Sequence, residues 1–219
     1  MLTIAFVTGT EPGKWFRRYE QYTSAKLDTV QSDDAFAQLD AGADMALMRL
    51  PDARVTDEFH VVRLYTEAAG VAVPKDSVYA GETLTVDDIE GEIINFEFTE
   101  QSLIDDLRSA LQIVAANVGV ALAPLPLLRA LSKKQIAVCE LTADPGSHFH
   151  TEVALVWRVA DDSPEIQEFV GVAKGRTPNS SRSQGAGASQ QGKRATQTAP
   201  RGNAQNRSAH KRKTRKRPR

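Results

Sequence analysis

Short apolar runs alternate with helical patterns along most of this sequence, and this alternation limits the fold more than any other feature. Residues 2–7 form the first apolar run, which is typical of a strand covered on both faces of a parallel sheet. A Thr-Gly-Thr turn follows, and aromatic residues then recur at helical spacing. Strand-like runs come next at residues 26–31 and 45–50, with a short helix between them that ends at Gly42. This opening unit is therefore predicted to be β-α-β-α-β, the pattern of a parallel sheet with right-handed crossovers.

The same alternation continues through the following hundred or so residues. Further strands are predicted at residues 60–65, 70–73, 92–96, 118–123, 136–141 and 152–157. Further helices are predicted around residues 86–89, 103–117, 124–131 and 164–174. The fold class is therefore predicted to be α/β.

Three hydroxyl residues are predicted to cap helices. Thr10 precedes the first helix and lies two residues before Pro12, which is expected in the first turn. Ser102 with Asp105 resembles a capping box. Ser163 stands before a proline and an acidic residue, which is typical of a helix start.

The composition changes abruptly at residue 176. Residues 1–175 carry all 28 acidic residues and 14 Lys and Arg, so their formal charge is −14. Residues 176–219 carry 13 Lys and Arg and no acidic residue. They also lack the residues that usually form a core: Val, Ile, Leu, Met, Cys, Phe, Trp and Tyr. Such a segment cannot bury enough apolar area to offset the entropy of ordering, so we predict a folded body over 1–175 and a disordered basic tail over 176–219.

Several classes of protein are disfavoured by the sequence. Cys139 is the single cysteine, so an intramolecular disulfide is excluded and a reducing compartment is favoured. We see no membrane-span pattern, secretory signal, nucleotide-binding glycine motif or catalytic constellation, and we expect a cytoplasmic non-enzyme without a cofactor. His148 and His150 share one face of a predicted strand, but a metal site there lacks a third ligand nearby.

Two strand ends in the opening unit are candidates for a ligand site. Thr8, Gly9 and Thr10 offer hydroxyls and helix N-terminal N–H groups, which suit a carboxylate. Arg49 ends the 45–50 strand and could bind an anion through two hydrogen bonds. A turn without a ligand and a surface salt bridge of Arg49 are the alternative interpretations.

The order of segments resembles a known family. The stretches that carry this resemblance are FVTGTEPGKW, ADMALMRLP, HVVRLYTEAAGVAVPKD, TLTVDDIEGE and AANVGVALAPLPLLRAL. Together they resemble the effector-sensing, substrate-binding domain of LysR-type transcriptional regulators, which is similar to type 2 periplasmic binding proteins. The resemblance covers roughly residues 1–175 and rests on the ordered set of segments.

The resemblance implies two α/β lobes joined by two crossing strands, with a small-molecule pocket between the lobes. Lobe one corresponds to about 1–67 and 148–175, and lobe two to about 68–147. The crossing strands are expected near 64–73 and 141–153.

The resemblance also places ligand-binding residues in lobe two. Asn95, Phe96 and Phe98 stand at the strand end equivalent to the Thr8–Thr10 turn, and Asn117 lies in a small-residue segment that approaches the pocket. For the two phenylalanines, core packing is the alternative interpretation. For Asn117 the alternative is a simple helix stop.

The sequence departs from the family pattern in two ways. Family members begin with a winged helix-turn-helix and a linker helix, whereas the resemblance here starts at the first residues, so we expect no operator reading of the family's kind. The segment between the 92–96 strand and Val114 is shorter than in most members, which implies a different ligand or none.

The end of the tail is a candidate nucleic-acid contact. Seven of its last nine residues are cationic: Lys211, Arg212, Lys213, Arg215, Lys216, Arg217 and Arg219. A flexible cationic arm binds phosphate backbones without sequence preference and with a steep salt dependence. A solubilising role, or binding to the acidic body, is the alternative.

The combined interpretation is a cytoplasmic, regulatory, effector-binding module linked to transcription. We expect a small anionic metabolite in the pocket, non-specific nucleic acid at the tail, no membrane, and a homodimer as a further option. The alternatives are a solute-binding protein for transport, an enzyme on the same fold, and a ligand-free scaffold for the tail.

Overall fold

The computed structural model describes residues 1–142 and 151–176. The strands among these residues are β1 (Leu2–Val7), β2 (Leu27–Ser32), β3 (Met45–Leu50), β4 (Phe59–Glu67), β5 (Ala69–Pro74), β6 (Leu84–Thr85), β7 (Ile94–Glu97), β8 (Val120–Pro124), β9 (Ile136–Thr142) and β10 (Thr151–Arg158). The helices are α1 (Gly13–Tyr22), α2 (Ala37–Asp40), α3 (Ile104–Ala115), α4 (Leu125–Leu131) and α5 (Pro164–Ala173). Single 3-10 turns cover Asp87–Ile89 and Val159–Asp161.

The strands form two five-stranded sheets. The first has the order β2-β1-β3-β10-β4, in which β1 runs parallel to both β2 and β3, and β10 runs antiparallel to β3 and β4. The second has the order β6-β9-β5-β8-β7, in which β7 and β8 are parallel. The α/β prediction with two sheets is confirmed.

We call the first sheet and its helices lobe one, and the second sheet and its helices lobe two. The chain passes from lobe one to lobe two at Ala68, between β4 and β5. It returns between β9 and β10, through residues 143–150, which lie outside the described residues and include His148 and His150. Residues 177–219, which include the predicted cationic tail, also lie outside them.

Each sheet is covered on both faces by apolar side chains. In lobe one, α1 and α5 pack together on one face, where the rings of Tyr19 and Phe169 meet edge-on at 5.5 Å. The apolar stripe of α3, including Leu107 and Val114, packs with α4 against one face of the lobe-two sheet. Burial on both faces explains why β5, and β3 apart from Arg49, read as apolar runs.

Two of the three predicted caps are wrong. The turn after β1 closes on itself, so the Thr10 hydroxyl donates to the Val7 carbonyl at 2.7 Å and Pro12 stands at the N-cap of α1. The Ser102 hydroxyl accepts from the Thr99 N–H at 2.8 Å, and α3 begins two residues later without a side-chain cap. The Ser163 cap is confirmed, because its hydroxyl accepts from the N–H of Ile166.

Candidate functional site

The two lobes approach each other closely where the turn after β1 meets helix α4. Gly9 has a φ of +90°, which favours glycine, and a Cβ there would lie 2.8 Å from the Leu127 Cα of lobe two. The N–H of Leu125 donates to the Ala68 carbonyl at 2.8 Å, which ties the start of α4 to the crossing segment. Glycine is required here because the two backbones leave no room for a side chain.

A buried ion pair lies beside this contact. The Arg49 guanidinium donates to both carboxylate oxygens of Glu67, at 2.6 and 3.0 Å, and also to the Thr8 carbonyl at 2.8 Å. The Thr151 hydroxyl donates to the same Glu67 carboxylate at 2.7 Å. We call these four residues together with Gly9 the hinge junction.

The sheet register explains why these residues meet. Arg49 lies opposite Val153, and Glu67 opposite Thr151, on the adjacent strands β3, β10 and β4. Glu67 is the last residue of β4 before the chain crosses, and Thr151 is the first of β10 after it returns. The ion pair therefore ties the end of β4 and the start of β10 to the end of β3.

A cavity of about 490 Å³ lies next to the hinge junction, between the lobes. Residues 33–36 and 48–54, at the carboxyl ends of β2 and β3, form the lobe-one wall. Residues 98 and 100–105, from the loop after β7 and the start of α3, form most of the opposite wall. We call this space the interlobe cleft, and its volume is in the range of small-molecule sites.

One arginine on the lobe-one wall is held by two carboxylates. Arg54 donates to Asp34 at 2.7 and 3.1 Å and to Asp52 at 2.7 Å. Its guanidinium carbon also lies 4.6 Å from the centre of the Phe36 ring, a cation–π arrangement. Both interactions keep the loop after β3 against the end of β2.

A second arginine bridges the lobes at the mouth of the interlobe cleft. Arg108 of α3 donates to both carboxylate oxygens of Asp33 in lobe one, at 2.6 and 3.0 Å, and to Asp105 at 2.7 Å. The Thr8 hydroxyl donates to the same Asp33 at 2.6 Å. The hydrogen bond from Arg108 and the one from Thr8 hold the pKa of Asp33 below its ordinary value, against partial desolvation.

Two of the eight candidate ligand-binding residues line the cleft, Arg49 and Phe98. Thr8, Gly9 and Thr10 belong to the closed contact and the turn beside it, outside the cavity lining. Arg49 itself is paired with Glu67, so the predicted salt bridge is present but buried rather than on the surface. The predicted carboxylate partner of this arginine thus comes from the protein itself.

Three of the four lobe-two candidates, Asn95, Phe96 and Asn117, also lie outside the cavity lining. The Asn95 amide donates to the Val118 carbonyl at 2.7 Å, and Asn117 has a φ of +68°, so both build the tight turn before β8. Phe96 packs against the core beside α3, as the alternative interpretation predicted. Phe98, two residues further along, does line the cavity.

The residues that sequence reasoning missed lie in the loops after the strands. Asp33 and Asp34 directly follow β2, so the rule that placed Thr8 at the carboxyl edge could have found them. The lobe-two wall at residues 100–105 has no such signal, because it depends on how the two lobes face each other. Among the described residues, no helix has the length and apolarity to cross a membrane, and no cluster of three metal-binding side chains occurs.

Comparisons with known proteins agree with this architecture. No family model and no curated protein matches the sequence. The chain is similar to the BenM effector-binding domain with its effector benzoate, at 16% identity and a TM-score of 0.60, covering 79% of this chain and 90% of that one. It is also similar to CbnR, a LysR-family transcriptional regulator, at 16% identity and a TM-score of 0.58, covering 79% and 68%.

A third similar structure is an OxyR C206 mutant from Corynebacterium glutamicum, at 20% identity and a TM-score of 0.56, covering 79% of this chain and 62% of that one. At these identities the likeness concerns the fold. The chain therefore has the fold of the effector-binding domains of LysR-family regulators.

Proposed function

We propose that this chain is a regulatory effector-binding module of the LysR type, which binds a small molecule in the interlobe cleft. The observation that carries the proposal is the cavity of about 490 Å³ between the two lobes of an effector-binding-domain fold. Its walls come from the carboxyl ends of strands in both sheets, where α/β proteins bind ligands. The benzoate of the BenM domain indicates the size of molecule that such a site accepts.

The proposed activity is binding rather than catalysis. A molecule that contacts both walls favours the arrangement of lobes in which those contacts form, and this is how binding is transmitted to the rest of a regulator. The hinge junction keeps its contacts when a ligand binds, because its polar groups are already paired. The bridge from Arg108 to Asp33 is the contact that changes when the lobes rearrange, since both side chains are partly exposed.

A cleft-blocking variant tests the proposal. Ala53 is exposed and lines the cleft, so Ala53→Trp places an indole at its lobe-one wall without disturbing the core. We expect small aromatic compounds to raise the melting temperature of the full chain, and Ala53→Trp to abolish the shift. Ala53→Ser is the matched control and keeps it. Equal shifts in all three proteins would place binding elsewhere, and no shift with any compound would contradict the proposal.

The basic tail is the second part of the proposal. We propose that residues 176–219, with a formal charge of +13, bind nucleic acid without sequence preference in the cytoplasm, which links effector binding to transcription. The full chain and a 1–176 truncation are compared for duplex-DNA binding at two salt concentrations. Binding that needs the tail and weakens steeply with salt supports this role. No binding by the full chain at low salt would contradict it.

A further inference from the structure

We infer that the interlobe cleft takes an organic cation with an apolar body, such as an aromatic amine, rather than a carboxylate. The inference rests on the proposed function and names the ligand class of the same site. It departs from the expectation of an anionic metabolite, because the arginine side chains at the cleft are already paired with carboxylates of the protein.

Negative charge predominates on the cleft walls. Five carboxylates line the cavity, and two guanidiniums do: Asp33, Asp34, Asp52, Glu100 and Asp105, against Arg49 and Arg54. The carboxylates come from both lobes, so a ligand between the walls meets negative charge on either side. An excess of one sign of charge in a cleft concentrates ligands of the opposite sign.

The guanidiniums at the cleft are all paired with carboxylates. Arg49 is held by Glu67, Arg54 by Asp34 and Asp52, and the bridging Arg108 by Asp33 and Asp105. An anionic ligand would have to displace one of these carboxylates, and Arg49 with its partner is almost fully buried. Breaking the buried Arg49 pair is far more costly than one ligand contact returns, and at Arg54 and Arg108 a ligand anion would compete with two carboxylates each.

One carboxylate remains available for a cation. Glu100 is exposed at the lobe-two wall, and its carboxylate makes no hydrogen bond or ion pair with any residue that the structure describes. The other four carboxylates of the lining are shared among two arginines, which leaves part of their charge uncompensated. A cationic ligand therefore gains charge pairing without breaking any.

The apolar part of the lining suits the body of such a ligand. Phe36 from lobe one and Phe98 from lobe two both line the cavity, together with Met48 and Leu103. The Phe36 ring already has a cation on it, the Arg54 guanidinium at 4.6 Å. Aromatic faces and carboxylates together are the usual surroundings of bound organic cations.

A series of three probes tests the charge preference. Benzylammonium, benzyl alcohol and benzoate share one ring and differ in charge, and ligand-observed NMR on the full chain measures their dissociation constants. We expect benzylammonium to bind at least about ten-fold more tightly than benzoate, with benzyl alcohol between them, and Ala53→Trp to weaken benzylammonium. Benzoate binding as tightly as benzylammonium, or more so, would overturn the inference and leave the proposed function standing. Binding of none of the three would overturn both.

A charge-neutral variant separates the cleft from the acidic surface as a whole. Glu100→Gln should weaken benzylammonium binding about three-fold, the effect of one screened charge close to the ligand. Glu20→Gln is the matched control, because Glu20 is exposed on α1, away from the cavity lining. Equal effects of the two variants would show a general attraction to the acidic body and would overturn the inference.

Discussion

The hinge junction and the interlobe cleft lie side by side between the same two lobes, yet they are built in opposite ways. At the hinge junction a glycine lets two backbones meet, and an arginine and a glutamate with side-chain exposures of 6% and 0% face each other. At the cleft, Arg54 is paired just as closely but its side chain is 48% exposed, and a cavity opens beside it. The geometry of the pairing alone therefore does not distinguish a buried ion pair from a solvent-exposed one.

The two ion pairs differ in how far they are exposed to solvent. A buried pair is strongly destabilising to break, because its remaining charge has no water, whereas an exposed pair contributes little. The hinge junction should therefore govern stability and the cleft should govern binding. The predictions that follow test this division, from the largest expected effect to the smallest.

Removing the two arginines should give very different results. Arg49→Met leaves Glu67 charged and buried, so we expect the free energy of unfolding to fall by about 4 kcal/mol. Arg54→Met leaves Asp34 and Asp52, whose side chains are 48% and 14% exposed, and should cost less than about 1 kcal/mol. Urea denaturation of both variants measures the difference, and equal losses would contradict the division.

Adding one methyl group to the hinge junction should also be costly. Gly9→Ala combines a φ of +90° with a Cβ 2.8 Å from the Leu127 backbone, and we expect a loss of about 3 kcal/mol. Gly42→Ala is the matched control, since Gly42 has a φ of +105° but nothing within 4 Å of its Cβ, and should cost about 1 kcal/mol. If the two losses are the same, the lobes do not meet at Gly9.

The bridge at the mouth of the cleft should have a small, pH-dependent effect. Because the pKa of Asp33 is lowered in the folded state, its contribution is present above the ordinary value of 3.8 and is lost as the pH falls through the folded pKa. Both side chains of the bridge are about 40% exposed, so Asp33→Asn should cost only about 0.5 kcal/mol at pH 7.

Thermal unfolding between pH 3 and pH 7 measures this effect. The difference between Asp33→Asn and the unaltered protein should shrink toward zero below pH 4. Asp57→Asn, at an exposed aspartate of the same lobe outside the cavity lining, serves as the control. A difference that grows as the pH falls would show that the Arg108 bridge does not stabilise the charged form of Asp33.

Sequence reasoning predicted the elements well and the site poorly, for a physical reason. The signals for β3 and β5 are local, because their apolar runs, interrupted only by Arg49 in β3, follow from burial on both faces whatever lies further away. The Ser163 cap is local too, since its partner is three residues along. Arg49, by contrast, was predicted to bind an anion, and its partner Glu67 is 18 residues away on a strand that is not its neighbour in the sheet.

The cleft walls illustrate the same limit. Asp33 and Phe98 become neighbours of one cavity only when the lobes face each other, and no periodicity in the sequence contains that information. The resemblance to a two-lobed family supplied the lobes and the idea of a pocket between them. It did not supply the sign of the charge on the walls, which depends on side chains of this chain alone.

Amide chemical-shift mapping with benzylammonium tests the central claim most directly. In the isotope-labelled full chain we expect titration to shift the amides of residues 33–36 and 98–105, on the two walls of the cleft. The amides of Gly9 at the hinge junction and of Leu127 beside it should stay nearly unchanged. Shifts concentrated at the hinge junction, or spread over the outer surfaces of the lobes, would contradict the assignment of binding to the interlobe cleft.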